Sequence, residues 1–383
     1  MLTRNIQAQS IYLDCNATAP MDPAVREVVQ DWLSNVGNAG SRTHEYGLRA
    51  RKAVEAARNQ VAAVVAASPD EVVFTSGATE SNNLAILGLA AFAESNGRRH
   101  VVSTMIEHKA VLEPIQALQA KGFEVSLIRP GSDGAVRPEA LLAAVREDTL
   151  LVSMMQVNNE TGVRQPVLAV AEALEGHGTY LHVDAAQGFG KELAALRSPR
   201  IDMISISSHK IYGPVGVGAL VTRRRRFDKV PLTCLVHGGG QERGLRPGTL
   251  PVALIAGFGV ASELAAVKAE ARKAHCAAVR EQALAALRPL RVRIHGTLEG
   301  SLPHVLNFSI KGVDSEALMV GLRDLAAVSN GSACTSQSYT PSHVLVAMGL
   351  SSSEVAGAVR MSWCHMTPTV DWNAVAARID SLR

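Results

Sequence analysis

Between residues 71 and 222 short apolar runs recur along the chain, most of them separated by enough residues for a helix. They are EVVF (71–74), HVVSTM (100–105), FEVSLI (123–128), LLVSMM (150–155), LHVD (181–184), IDMISIS (201–207) and GALVT (218–222). Runs of this length, rich in Val, Ile and Leu, predict strands buried on both faces. ESNNLAILGLAAFAES and PVLAVAEALEGHG, lying between them, carry helical spacing. The alternation predicts an α/β domain built on a mainly parallel seven-stranded sheet with helices on both faces. From Pro251 the pattern becomes one long helical stretch, followed by a tail with three short apolar runs, HVLNFSI, AAVSNG and VRMSW. The expected division is a large α/β unit, 18–261, and a smaller α+β unit made of 1–17 and 262–383.

Composition narrows the function classes. A hydrophobic fraction of 47% supplies a large core, and a net charge of +3 gives no global electrostatic case for nucleic acid or a membrane surface. Neither direct nucleic-acid binding nor membrane attachment is expected. The first twelve residues lack a signal-type apolar run, and no stretch of 18 uncharged apolar residues occurs, so a cytoplasmic protein is expected. The five cysteines, Cys15, Cys234, Cys276, Cys334 and Cys364, are scattered and form no C-x-x-C pair. That argues against a disulfide framework and a structural zinc site, and leaves open which thiol is reactive. His44 has no partners at metal-ligand spacing, so no catalytic metal is expected.

Ligands of open α/β sheets gather at the carboxyl ends of the strands. The residues just past the predicted strands are Ser76, Gly77, Ala78 and Thr79; His108; Asn158 and Asn159; Asp184 and Gln187; and Ser207, His209 and Lys210. Lys210 follows a buried strand, where an ammonium without a partner is costly. An amine, an acid and a helix start suit a flat, phosphorylated cofactor with a basic ring nitrogen. Pyridoxal 5′-phosphate needs an amine for its aldehyde, an acid for its ring nitrogen and an anion cradle. On this reading Lys210 bonds the aldehyde, Asp184 holds the ring proton, and Gly77-Ala78-Thr79 cradles phosphate at a helix start, completed by Ser207 and His209. His108 is expected over the ring face. Taken singly, Asp184 and Thr79 read more simply as helix caps and His108 as an interior histidine; jointly they resist that explanation.

FTSGATESNNLAI, EHKAVL, VNNETG, HVDAAQ, SSHKIYGPVGVGAL, HGGGQERGLRPGT and GSACTS resemble, in order, the signature stretches of the cysteine desulfurases. The resemblance runs from IYLDCNATAP to VRMSW. It implies pyridoxal-phosphate fold type I, the aminotransferase-like fold, with a cysteine loop of the long class. It further implies that Lys210 carries the cofactor, Asp184 faces its ring nitrogen, and Gln187 bonds its ring hydroxyl. Ala78, Thr79, Ser207 and His209 are implied around the phosphate. Thr249 is implied to reach the phosphate of a neighbouring subunit, hence a homodimer. Asn159 is implied to touch cofactor and substrate, Arg360 to clamp the carboxylate of L-cysteine, His108 to shuttle protons, and Cys334 to take the sulfur as a persulfide. The products are then L-alanine and sulfur for an acceptor protein, serving iron–sulfur assembly, tRNA thiolation or DNA sulfur modification.

Cys334 lies in SNGSACTSQSYTP, small and polar, unlike the apolar surroundings of a structural cysteine. The other four cysteines read as structural or incidental. HGGG (237–240) suggests an esterase oxyanion loop, but no G-x-S-x-G accompanies it. RRRR (223–226) reads as a solvated turn. SWCHMT after Arg360 departs from a more usual glycine-and-arginine version. Two alternatives stay open: a selenocysteine or cysteine lyase of the same fold, which does without Cys334, and a sulfur-carrier scaffold without turnover.

Overall fold

The seven apolar runs form one seven-stranded sheet. The computed structural model describes residues 10–330 and 340–383. Its strands are β1 (Ile11–Tyr12), β2 (Val72–Thr75), β3 (His100–Thr104), β4 (Glu124–Ile128), β5 (Thr149–Met155), β6 (Tyr180–Asp184), β7 (Met203–Ser207), β8 (Gly218–Thr222), β9 (Arg293–Ile294), β10 (Val305–Ser309), β11 (Ala326–Ala327) and β12 (Val359–Ser362). The large sheet has the order β2-β8-β7-β6-β5-β3-β4. Strands β4, β3, β5, β6 and β7 pair in parallel, whereas β8 is antiparallel to both β7 and β2. Two reversals return β2 to the direction of β7, so six carboxyl ends share one rim.

Residues alternate between two cores, as strand pleating requires. Val72 and Phe74 pack with Phe189 and Phe258 on one face, and Val73 packs with Ile86, Leu118 and Leu151 on the other. Every position of β3, β5 and β7 is buried, while the edge strand β4 exposes Glu124 and Leu127. Inside the sheet His182 spans its neighbours, with Nδ1 2.8 Å from Ser153 Oγ and Nε2 2.9 Å from Ser205 Oγ. Burial pushes its imidazole down to a pKa of about 3, so it is a neutral tie between β5, β6 and β7.

A third core collects Leu306, Phe308, Val359, Met361 and Trp363 from the β12-β10-β9 sheet, together with Leu13. The N-terminal stretch enters it because β1 pairs in parallel with β11. The long helical pattern after Pro251 is two helices, Val252–Val267 and Ala269–Leu287, bent by 73° at Lys268. The first buries Ile255, Phe258, Ala261 and Ala265 in the large core, and the second buries Cys276, Ala283 and Leu287 in the third. Two packing partners require two axes. Among the described residues no single helix is long and apolar enough to cross a membrane.

The arginine run is a turn, as expected, but half of it is not solvated. Arg223 is 5% exposed and donates to the carbonyls of Ile201, Val65 and Leu196. Arg225 pairs with Asp202 at 2.6 Å and donates to the carbonyls of Gly178 and Thr179. Carbonyls at loop and strand ends need donors, and a guanidinium supplies five.

Candidate active site

The shared rim opens onto a cavity of about 300 Å³, in the range of small-molecule pockets. Its wall takes Asp184, Ala186 and Gln187 from the end of β6, and Ser207, His209 and Lys210 from the end of β7. Gly77, Ala78 and Thr79 follow β2, His108 follows β3, and Asn159 follows β5. From the other core, β12 contributes Arg360. Residues more than 280 positions apart are thus brought around one volume.

Asp184 is 5% exposed. Its Oδ2 accepts from Asn82 Nδ2 at 2.8 Å and its Oδ1 from the Ala186 N–H at 3.0 Å, which fixes the carboxylate in one orientation. Lys210 stands three residues past β7 in a 3₁₀ turn, Ser208–Lys210. Its Nζ donates to the carbonyls of Asn16 and, at 2.7 Å, Ala17. The Asn16 carbonyl also accepts from Gln187 Nε2 at 3.0 Å, so the amine and the amide converge on one oxygen.

The turn at Gly77 has a steric origin. Gly77 caps the Ala78–Leu87 helix with φ 155° and ψ −178°, a conformation that L side chains rarely adopt. Gly218 of β8 packs directly beneath it: a Cβ there would stand 2.6 Å from Gly77 Cα. No side chain caps this helix start, which leaves first-turn N–H groups toward the cavity wall. Thr79 lies inside the first turn and is not the cap. Glu80 Oε2 turns back to accept from the Ser76 N–H at 2.6 Å, and Arg246 holds its other oxygen at 3.0 Å. His209 Nδ1 is 3.1 Å from Thr18 Oγ1, and burial, with Lys210 and Lys191 adding repulsion, pushes its pKa down to about 4.

His108 is both a cavity residue and a helix cap. Its Nδ1 accepts from the Ala110 N–H at 3.1 Å, so the neutral ring keeps its proton on Nε2. Burial lowers its pKa below 6.5; the Asp184 charge opposes this and the Lys210 charge reinforces it. The neutral imidazole therefore persists to lower pH than that of a free histidine. Accordingly, the ratio of wild-type to His108→Ala kcat/KM, expected at about 10²-fold or more, should narrow only on the acid side of the range where a free histidine titrates. A ratio already falling at pH 7 would show a protonated histidine instead. Behind it, Glu107 is fully buried, and burial pushes its carboxyl up to about 8, so it is a neutral neighbour rather than a counter-charge.

Arg360 is 1% exposed. Its Nη1 donates to the Asn159 carbonyl at 3.0 Å and its Nη2 pairs with Asp14 Oδ1 at 2.6 Å. The unusual SWCHMT stretch beside it turns away from the cavity. Trp363 packs edge-to-face on Trp372 and donates to the Cys276 carbonyl, Cys364 is buried near Cys15, and His365 meets Tyr212 edge-on at 4.4 Å.

Not every expected residue joins this group. Asn158 points inward, its Oδ1 accepting from the Glu160 and Thr161 N–H groups, so it builds the turn that presents Asn159. Thr249 is exposed and absent from the cavity wall. It sits on the 237–250 segment, anchored where Glu242 makes a two-point buried ion pair with Arg58 at 2.7 Å. Cys334, in GSACTS, lies outside the described residues. His44 caps the Glu45–Val64 helix by accepting from the Gly47 N–H, and no metal-type cluster occurs among the described residues. Sequence reasoning missed Asn16, Asn82 and Asp14. Asn16 is the most connected: its Nδ2 donates to the Asn159 carbonyl, its N–H to Ser362 Oγ, and its own carbonyl receives Lys210 and Gln187.

Comparison with known proteins gives a consistent picture. The family model described as aminotransferase class-V matches residues 11–374. The cysteine desulfurase IscS of Serratia proteamaculans (strain 568) is 45% identical over 361 residues, covering 93% of this chain and 88% of that protein. The crystal structure of DndA from Streptomyces lividans superposes with a TM-score of 0.82 at 49% identity, covering 92% of this chain and 99% of that one. The structure of SspA in complex with cysteine superposes at 0.80 with 34% identity, covering 94% and 100%.

Proposed function

Since the chain belongs to the class-V aminotransferase family, fold type I, and is a cysteine desulfurase, we propose that it uses pyridoxal 5′-phosphate to take sulfur from L-cysteine, leaving L-alanine and a persulfide on Cys334. The observation that carries this reading is that an amine, an oriented acid and a guanidinium, Lys210, Asp184 and Arg360, line one cavity.

The residues fit the cofactor. The Asp184 carboxylate, locked by Asn82 and the Ala186 N–H, suits a protonated ring nitrogen. Gln187 suits the ring hydroxyl. The uncapped helix start at Ala78 and Thr79, with Ser207 and His209 beside it, suits phosphate, and Lys210 suits the aldehyde. When bound, pyridoxal phosphate supplies an electron sink for bonds broken at the substrate α-carbon.

The remaining work falls to the chain itself. Arg360 offers a planar fork to the substrate carboxylate, and Asn159, whose carbonyl it holds, stands beside it. Lys210 is the amine that would accept the α-proton. His108 keeps a proton on Nε2 and steadies negative charge in the cavity as a hydrogen-bond donor; to take up a second proton it must give up its cap on Ala110. Cys334 must act as thiolate, because the thiol is a poor nucleophile. Its sulfur bonds the substrate sulfur as the carbon–sulfur bond breaks, so cysteine plus enzyme thiol gives alanine plus enzyme persulfide.

Completing the proposal are a homodimer in which Thr249 serves the neighbouring subunit, a protein acceptor for the sulfur, and a cytoplasmic setting. Residues 18–261 form the cofactor unit, and 1–17 with 262–383 the smaller one. In the test, purified protein is loaded with pyridoxal phosphate and given L-cysteine without added thiol. One equivalent of alanine per subunit should form, with matching sulfane sulfur on the peptide that contains Cys334. Sulfide released with no protein-bound sulfur would contradict the proposal.

A further inference from the structure

Arg360 does not wait for the substrate carboxylate alone, since a carboxylate already holds it. Asp14 Oδ1 lies 2.6 Å from its Nη2, and the Asn159 carbonyl takes Nη1 at 3.0 Å. The ion pair is unequal in exposure: the Arg360 side chain is 2% exposed and that of Asp14 19%. The same Asp14 oxygen accepts from Ser329 Oγ at 3.0 Å, and Ser329 pairs backbone to backbone with Arg360. Asp14 is itself bridged to Ser362 of β12. Its position is therefore fixed by this backbone bridge and by a hydroxyl, and it fixes the guanidinium in turn.

We propose that Asp14 is a positioning residue for the substrate clamp, one that both aims Arg360 and limits how tightly it holds a carboxylate. Asp14 acts on the clamp in two opposite senses. Each terminal nitrogen of a guanidinium carries two N–H bonds, so one contact to Asp14 and one to Asn159 leave a second N–H on each for the substrate. Without those contacts a long side chain samples several rotamers, and a two-point carboxylate contact is lost. The Asp14 charge, however, partly neutralises the guanidinium and repels the incoming carboxylate. An oriented but moderated clamp keeps KM from falling far below working substrate levels, where tighter ground-state binding adds nothing to turnover.

This inference rests on the desulfurase reading, and its test separates the two. Asp14→Asn keeps an oxygen for Arg360 and Ser329 but removes the charge; Asp14→Ala removes both. With alanine formation from L-cysteine as the assay, KM should fall roughly fivefold in Asp14→Asn, with kcat changed less than KM. It should rise roughly tenfold or more in Asp14→Ala. A merely structural role would lower the melting temperature and kcat of both variants without moving KM in opposite directions. Both KM values shifting the same way, or neither shifting, overturns the inference. Should the alanine variant not fold, the asparagine arm decides alone, an unchanged or raised KM counting against it. Wild-type protein that makes no alanine overturns the desulfurase reading instead.

Discussion

Lys210→Ala, purified and incubated with pyridoxal phosphate, should be colourless and should form alanine from L-cysteine at least ~10⁴-fold more slowly than wild type. The size follows from losing at once the two roles proposed for Lys210, covalent attachment of the cofactor and acceptance of the α-proton. The substitution also removes two hydrogen bonds, to the carbonyls of Asn16 and Ala17, which tie the N-terminal stretch to the end of β7. Lys210→Arg separates the effects, because it keeps a cation for those carbonyls while a guanidinium forms no stable bond with the aldehyde. The arginine variant should fold as wild type and be equally inactive. If it keeps a visible band and turns over, Lys210 is a structural tether and the cofactor is held elsewhere.

The second large effect concerns Cys334. Cys334→Ser should abolish both protein-bound sulfane sulfur and the associated alanine, lowering turnover by about 10³-fold or more, because a hydroxyl is far less readily ionised than a thiol. The visible band and its response to added L-cysteine should survive, since the substitution leaves Lys210, Asp184 and Arg360, which line the cavity, unchanged. A lyase of the same fold would behave differently, with sulfide release unchanged by the substitution. A carrier scaffold would show no alanine in either protein. The spectrum therefore reports binding, alanine reports chemistry, and sulfane sulfur reports the destination, so each alternative fails on a different readout.

The sheet was readable because all its strands but the edge strand β4 are buried, and a buried strand is a mostly apolar run, interrupted inside the sheet by polar residues that pair with one another, such as His182 with Ser153 and Ser205. Asp184, Lys210 and Ser207 stand at the strand ends, so their placement followed from the same pattern. Asn82, Asn16 and Asp14 were not readable. Each acts through a hydrogen bond to a residue more than 100 positions away, and nothing in their local sequence distinguishes them from turn and helix residues. Asn158 and Asn159 stand together past one strand, and only the family resemblance singled out Asn159; a tight turn must spend one side chain on its own N–H groups, and Asn158 serves there. The charge run at 223–226 looked solvated because sequence shows a guanidinium's charge but not the carbonyls that claim Arg223 and Arg225. The break at Lys268 had no glycine or proline to mark it; the change of packing partner on either side is a tertiary cause.

The central claim is a covalent link between residue 210 and the cofactor inside this cavity. It is tested most directly by borohydride reduction of the cofactor-loaded protein followed by peptide mass mapping. One pyridoxyl adduct is expected, on the peptide containing Lys210, with loss of the visible band in proportion. No adduct, or an adduct on another lysine with Lys210 unmodified, would contradict it.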